Sequence, residues 1–148
     1  MDIQFDLIYS DEKNPTDFTR NEIADFLFEH LDQFGDEKEA ILKSIAYAYG
    51  DRPGQDGVVL VAHSDGAIMG AVVINDTNME GYIPEHILVY IAVHKDARGQ
   101  GLGKALMERI IKATRGDIAL HVEPENPAKH LYAKYGFTNK YLEMRLNK

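Results

Sequence analysis

From Ile3 to Tyr9 apolar and polar residues alternate (Ile3, Phe5, Leu7, Tyr9), which predicts a half-buried strand. Asn14-Pro15 predicts a helix N-cap followed by proline at the first helical position. The helix that follows carries Ile23, Phe26, Leu27, Leu31 and Phe34 on one face and is expected to end at Gly35. Asp36, with Glu39 three residues on, predicts the capped start of a second helix whose stripe is Ile41, Leu42, Ile45 and Tyr49 and whose end is Gly50. Asp51 to Gly57 reads as loop. Val58 to Val61 and Ala67 to Ile74 read as strands joined at Asp65-Gly66, a strong hairpin signal. Asn75 to Glu85 is polar and irregular and predicts a mobile loop.

The run Ile87 to His94 is apolar on consecutive positions and predicts a strand buried on both faces. A glycine-rich turn then opens a helix with Leu102, Ala105, Leu106, Ile110 and Ala113 at three- and four-residue spacing. Ile118 to Val122 predicts a short strand, Pro124 and Pro127 a turn, and Ala128 to Tyr135 a helix stopped by Gly136; Phe137 to Leu146 supplies one or two final strands. The order is β-α-α-β-β-β-α-β-α-β, an α/β fold with a mixed sheet. Its 87–122 crossover should be parallel and right-handed.

Composition narrows the partners. The 148 residues suit one domain over 1–148, long enough to bury roughly 68–70% of the unfolded surface. Twenty-four acidic residues against 16 basic ones give a net charge of −8, which argues against a nucleic-acid partner. With no cysteine there is no disulfide, no thiolate zinc site and no covalent transfer through sulfur. No basic leader precedes an apolar run, so a cytoplasmic, membrane-free protein is expected. His30, His63, His94 and His130 show no paired metal-ligand spacing, and no metal is expected.

The candidate chemistry lies in Arg98-Gly99-Gln100-Gly101-Leu102-Gly103-Lys104. Three glycines allow a sharp turn and close approach of a ligand to backbone, and a helix N-terminus offers unpaired N–H groups and positive dipole. The combination predicts a phosphate or pyrophosphate site. Neither register of the glycines fits the dinucleotide fingerprint. The Walker pattern would need a glycine at Arg98 and a hydroxyl at Ala105.

What fits is R-x-x-G-x-G at Arg98, Gly101 and Gly103 after a strand ending in Ala92-Val93; it resembles the acetyl-CoA pyrophosphate loop of the GNAT N-acetyltransferase superfamily. A second resemblance to that family runs from Leu120-x-Val122 through Asn126, Ala128, Leu131-Tyr132 and Lys134 to Gly136-Phe137, with the Asn126-to-Ala128 interval one residue short. The resemblance covers essentially the whole chain and says almost nothing of the acceptor.

It implies a mostly antiparallel sheet with a splayed parallel pair, its fourth and fifth strands. Pantetheine would pair with backbone around Ile91, Ala92 and Val93, and the pyrophosphate would meet Arg98, Gly99, Gln100, Gly101, Leu102, Gly103 and Lys104, with Asn126 and Tyr132 completing the cofactor site. Tyr132 matches the family's general acid. His121 matches a base position on the fifth strand. The fourth-strand base position falls on Ile87, which cannot act, leaving Glu85 and His86 beside it as candidates. Acetyl-CoA is the implied co-substrate and a small-molecule or protein amine the acceptor; a homodimer is left open. Asp25, Glu29, Asp32, Asp36, Glu37 and Glu39 cluster where this family shapes its acceptor pocket, which hints at a cationic acceptor and fits an ordinary solvated helix face as well. Two functions stand: an acetyl-CoA-dependent N-acetyltransferase, and a catalytically silent acyl-CoA-binding module that senses or scaffolds.

Overall fold

The computed structural model describes residues 2–10 and 15–148. Among them the strands form one sheet in the order β1-β2-β3-β4-β5: Gln4–Tyr9, Gly57–Ser64, Ala67–Asp76, His86–Val93 and Ile118–Leu120. The first three pairings are antiparallel and β4–β5 is parallel. The expected mixed α/β architecture is therefore present. Asp65 and Gly66 both take positive φ (52° and 77°), the twist that a two-residue hairpin needs.

Two cores sandwich the sheet. On one face α1 (Arg20–His30) and α2 (Lys38–Ala48) bury Ile23, Leu27, Ile41 and Ile45 against Val59, Val61, Ala71 and Val73. On the other, α3 (Leu102–Ala113) and α4 (Ala128–Lys134) bury Leu102, Leu106, Ile110 and Tyr132 against Leu60, Val72, Ile74 and Leu88. Ile3, Phe5, Leu7 and Tyr9 all pack toward this second core, as their alternation predicts.

Several boundaries differ from expectation: β2 runs Gly57–Ser64 rather than Val58–Val61, and β5 stops at Leu120 rather than Val122. Asn14 lies outside the described residues, and Pro15 is not helical: α1 starts at Arg20, where Thr19 and Glu22 form a complete capping box. That box satisfies two backbone donors reciprocally and outcompetes a start five residues earlier. The helix ends at Leu31 rather than Gly35, and a single 3₁₀ turn covers Asp32–Phe34. The N-cap of α2 is Glu37, not Asp36, whose carboxylate instead accepts from the Tyr90 hydroxyl at 2.5 Å. Residues 138–148 form no strand, contrary to the pattern of 137–146. Leu142, Met144 and Leu146 are 81–90% exposed, so the alternation there has no sheet edge beneath it.

The strand β4 carries the feature that shapes the site. Its pairing with β3 runs Gly70↔Val93 to Val73↔Tyr90, then jumps to Ile74↔Leu88, leaving Val89 as an extra residue. This β-bulge breaks the alternation of faces: Leu88 packs with the α3 core, whereas Val89 and Tyr90 both pack with the α1/α2 core. Only Leu88, Tyr90 and Ala92 are buried, so the expectation of burial on both faces fails at Ile87, Val89, Ile91 and Val93. From Val89 onward the cause is β5, which pairs with β4 only from His86↔Ile118 to Leu88↔Leu120 and runs no further alongside it.

Candidate active site

Beyond Leu88 the β5-side edge of β4 has no strand partner. The His94 N–H donates to the Met69 carbonyl at 2.8 Å, so by alternation Ala92 turns its backbone toward β3 while Ile91 and Val93 turn theirs outward. Unpaired backbone polar groups need a partner from somewhere. The Val93 carbonyl already accepts from Arg98 Nε at 3.2 Å, which leaves its N–H and both groups of Ile91 for a ligand.

At the start of α3, Gly99 and Gly101 sit at φ +78° and +82°. The first bond of the helix runs from the Ala105 N–H to the Gly101 carbonyl at 3.0 Å, and no side chain caps the end. The N–H groups of Leu102, Gly103 and Lys104 are therefore free to hold an anion. A Cβ at Gly103 would lie 3.5 Å from Leu131 and 3.8 Å from Val93, so the helix start, the free edge of β4 and α4 converge there.

Tyr132 belongs to that convergence. It is 7% exposed, its ring lies 5.9 Å from that of Phe137, and burial pushes its hydroxyl up to about 12. It is a phenol that keeps its proton at neutral pH.

Other residues singled out in the sequence sit differently. The Arg98 guanidinium donates to the carbonyls of Val93 and, at 2.8 Å, His30, tying the end of α1 to the glycine loop. The Gln100 amide donates to the Asp96 carbonyl at 3.3 Å, and the side chain of Leu102 is buried. Lys104 is exposed; its carbonyl takes the Tyr135 hydroxyl at 3.3 Å. Asn126 spends its side-chain oxygen on the Ala128 N–H at 2.9 Å, steadying the start of α4.

The base candidates are separated. His121 is exposed and follows directly on the last paired residue of β5, so it stands where the strands part. Glu85 and His86 lie at the closed end. The Glu85 side chain folds over Gly116, where an added Cβ would fall 2.0 Å from its carboxylate. His86 has its ring nitrogens against Asp76 Oδ1 at 2.6 Å and the Arg115 carbonyl at 2.5 Å, so both are engaged within the protein.

The sequence reading missed a contact on the α1/α2 side: Tyr90, 7% exposed, donates to Asp36 across 54 residues. Burial first, and the Asp36 carboxylate second, hold the Tyr90 hydroxyl far above the ordinary tyrosine range. Only the bulge at Val89 puts Tyr90 on that face, and a bulge leaves no signature in a run of apolar residues.

Residues 55–139 match the family model of the acetyltransferase (GNAT) domain. The chain belongs to the GNAT acetyltransferases. A curated relative, the 5-NmdU N-acetyltransferase of Pseudomonas phage PaMx11, is 37% identical over 84 residues. That match covers 55% of this GNAT chain and 58% of the phage protein, so the chain spans little more than half the length of that relative. Among solved structures, the aminoglycoside N-acetyltransferase AAC(6')-Iy in complex with CoA superimposes with TM-score 0.68 at 16% identity, over 100% of this chain and 97% of that one. The ribosomal-protein-alanine N-acetyltransferase of Brucella melitensis biovar Abortus 2308 does so with TM-score 0.64 at 18% identity, over 99% and 100%. At these identities the likeness is one of fold. No helix among the described residues is long and apolar enough to cross a membrane.

Proposed function

We propose that this GNAT protein moves an acetyl group from acetyl-CoA to a primary amine by direct transfer, with both substrates bound at once. The observation that carries the reading is the convergence at Gly103: free N–H groups opening α3, the outward-turned backbone of Ile91 and Val93, and the α4 helix that bears Tyr132. These groups fit a pyrophosphate joined to an amide-bearing chain, since the helix start suits the anion and a free strand edge suits the amides. Acetyl-CoA, when bound, supplies an acetyl thioester and a thiol leaving group.

The chain's own residues then have two proton tasks. An alkyl ammonium of pKa near ~10.4 must lose a proton before it can attack. We assign this to His121, directly or through a water, because it stands exposed at the parting of the strands while Glu85 and His86 are engaged at the closed end. Tyr132 faces the second task, charge developing on sulfur. With its hydroxyl at about 12, passing the proton itself to a thiolate of ordinary pKa ~8.5 is uphill. Tyr132 therefore donates a hydrogen bond that strengthens as the charge grows.

The test is thiol release from acetyl-CoA across a panel of primary amines, followed as a function of pH. Turnover that rises with pH in the wild type and loses that limb in His121→Ala supports the assignment; an unchanged profile overturns it. If acetyl-CoA raises the melting temperature and no amine releases thiol, the protein is an acyl-CoA-binding module without catalysis.

A further inference from the structure

Two imidazoles hold the turn that leads into the glycine loop. His30, at the end of α1, is 5% exposed, and its ring lies 4.2 Å from that of His94 and 4.6 Å from that of Phe26. Between β4 and α3, Lys95–Ala97 form a single 3₁₀ turn. His30 Nδ1 accepts from the Lys95 N–H at 3.3 Å, and His94 Nδ1 accepts from the Asp96 N–H at 3.0 Å. A backbone N–H always carries its hydrogen, so each Nδ1 presents a lone pair there. The junction is tied twice more: the Arg98 guanidinium donates to the carbonyls of His30 and Val93, and Lys95 Nζ lies 3.1 Å from Asp32 Oδ1.

A proton on His30 undoes this arrangement. It takes the lone pair that holds the Lys95 N–H and leaves two donors face to face. It also sets a positive charge beside Arg98, Lys95 and the His94 ring. Of the nearby carboxylates, Asp32 is engaged with Lys95, and Asp96 Oδ2 stands 3.9 Å from His94 Nδ1. Glu29 favours the charge, with its carboxylate 3.4 Å from His30 Nε2, but its side chain is 71% exposed and screened by water. Burial first, then the His94 ring, hold the pKa of His30 below the ordinary histidine value; Arg98 and Lys95 add to the effect and Glu29 opposes it.

We infer that His30 and His94 gate cofactor binding by pH: a proton on His30 releases the Lys95 N–H and loosens Arg98, the glycine loop loses its anchor to α1, and CoA is held less tightly. This rests on the reading of the loop as a CoA site. It adds a control that the loop itself lacks, since none of the residues from Arg98 to Lys104 is of a type that titrates near neutrality. The gate opens toward weak binding only in acid, below the ordinary histidine value of ~6.5.

Two measurements test it. In the first, calorimetry gives CoA affinity near pH ~7.5 and pH ~5 for wild type and for His30→Gln, whose amide oxygen accepts from Lys95 without taking up a proton. The phosphates of CoA titrate in this range to the same extent with either protein, so the two ratios are compared with each other. Affinity should fall about fivefold further in the wild type, about 1 kcal/mol, the loss of one hydrogen bond. Equal ratios overturn the inference. In the second, the wild-type His30 ring is titrated by NMR with and without saturating CoA. CoA should lower the pH at which the ring titrates, because a proton that weakens a ligand is itself weakened by that ligand to the same degree. A ring that titrates unchanged, or at higher pH because the pyrophosphate attracts the proton, overturns the inference even where His30→Gln does not fold. In each of these outcomes CoA binding near neutrality leaves the cofactor reading standing; no CoA binding at any pH overturns both.

Discussion

Replacing Gly101 by alanine tests whether the glycine loop is a ligand site or only a turn. Gly101 sits at φ +82° with nothing within 4 Å of where a Cβ would stand. Steric overlap within the protein is therefore not the issue. The cost is that of the left-handed conformation, ~1–2 kcal/mol for an L-residue. Set against a typical domain stability of ~5–15 kcal/mol, the variant stays folded. At ~2–4 °C per kcal/mol for a chain of this size, Tm should fall by about 2–8 °C. Gly54 is a matched control: φ +83°, equally open, and in the loop before β2, away from α3. Gly54→Ala should lose as much Tm as Gly101→Ala. The two separate on adding CoA. A ligand at one hundred times its Kd stabilises by ~2.7 kcal/mol, or about 5–11 °C here. Wild type and Gly54→Ala should both show that rise by scanning fluorimetry. In Gly101→Ala it should shrink to a small fraction, because the new methyl stands beside the free N–H groups that meet the anion. A full CoA shift in Gly101→Ala would refute the anion-site argument, and an equal loss in Gly54→Ala would show that strain alone is being measured.

Tyr132→Phe should lower kcat by about 10²-fold with little change in KM for acetyl-CoA, the loss expected for one oriented donor; steady-state kinetics at full rate would return Tyr132 to a packing role. His30 should make the fold acid-sensitive. Burial, and next the neighbouring His94 ring at 4.2 Å, lower its pKa. Its contribution is thus present above the ordinary value of ~6.5 and lost as pH falls below it toward the folded-state value. Urea midpoints of wild type should decline through that range, and those of His30→Gln should decline less. Gly57→Ala should destabilise strongly, because its Cβ would fall 2.0 Å from the Ile74 carbonyl oxygen; retention of the wild-type Tm would mean that β2 and β3 separate more easily than their pairing implies.

The helices, the hairpin and the glycine loop were legible because each is written locally, in spacing or in turn residues. Thr19 and Glu22 are just as legible as Asn14-Pro15 and the stronger signal, because proline at a helix start is permitted rather than required. The site was legible only where it is backbone: Gly99 and Gly101 could be assigned a conformation from residue type. Arg98 could not, since the His30 carbonyl that it binds is 68 residues away. The Asp36–Tyr90 contact was hidden for the same reason, and the tail at 138–148 shows the converse, a strand-like pattern that no neighbour completes.

The extra residue at Val89 works as a phase shift. Upstream of it even-numbered β4 side chains face α3, as Leu88 does; downstream they face α1 and α2, as Tyr90 and Ala92 do. Deleting Val89 would make Leu88 and Tyr90 direct neighbours and restore regular alternation, with Leu88 still toward α3 and Tyr90 still toward α1 and α2. A single inserted residue thus divides one strand, its first half paired with β5 and its second turning Tyr90 and Ala92 to one core and Ile91 and Val93 to the other.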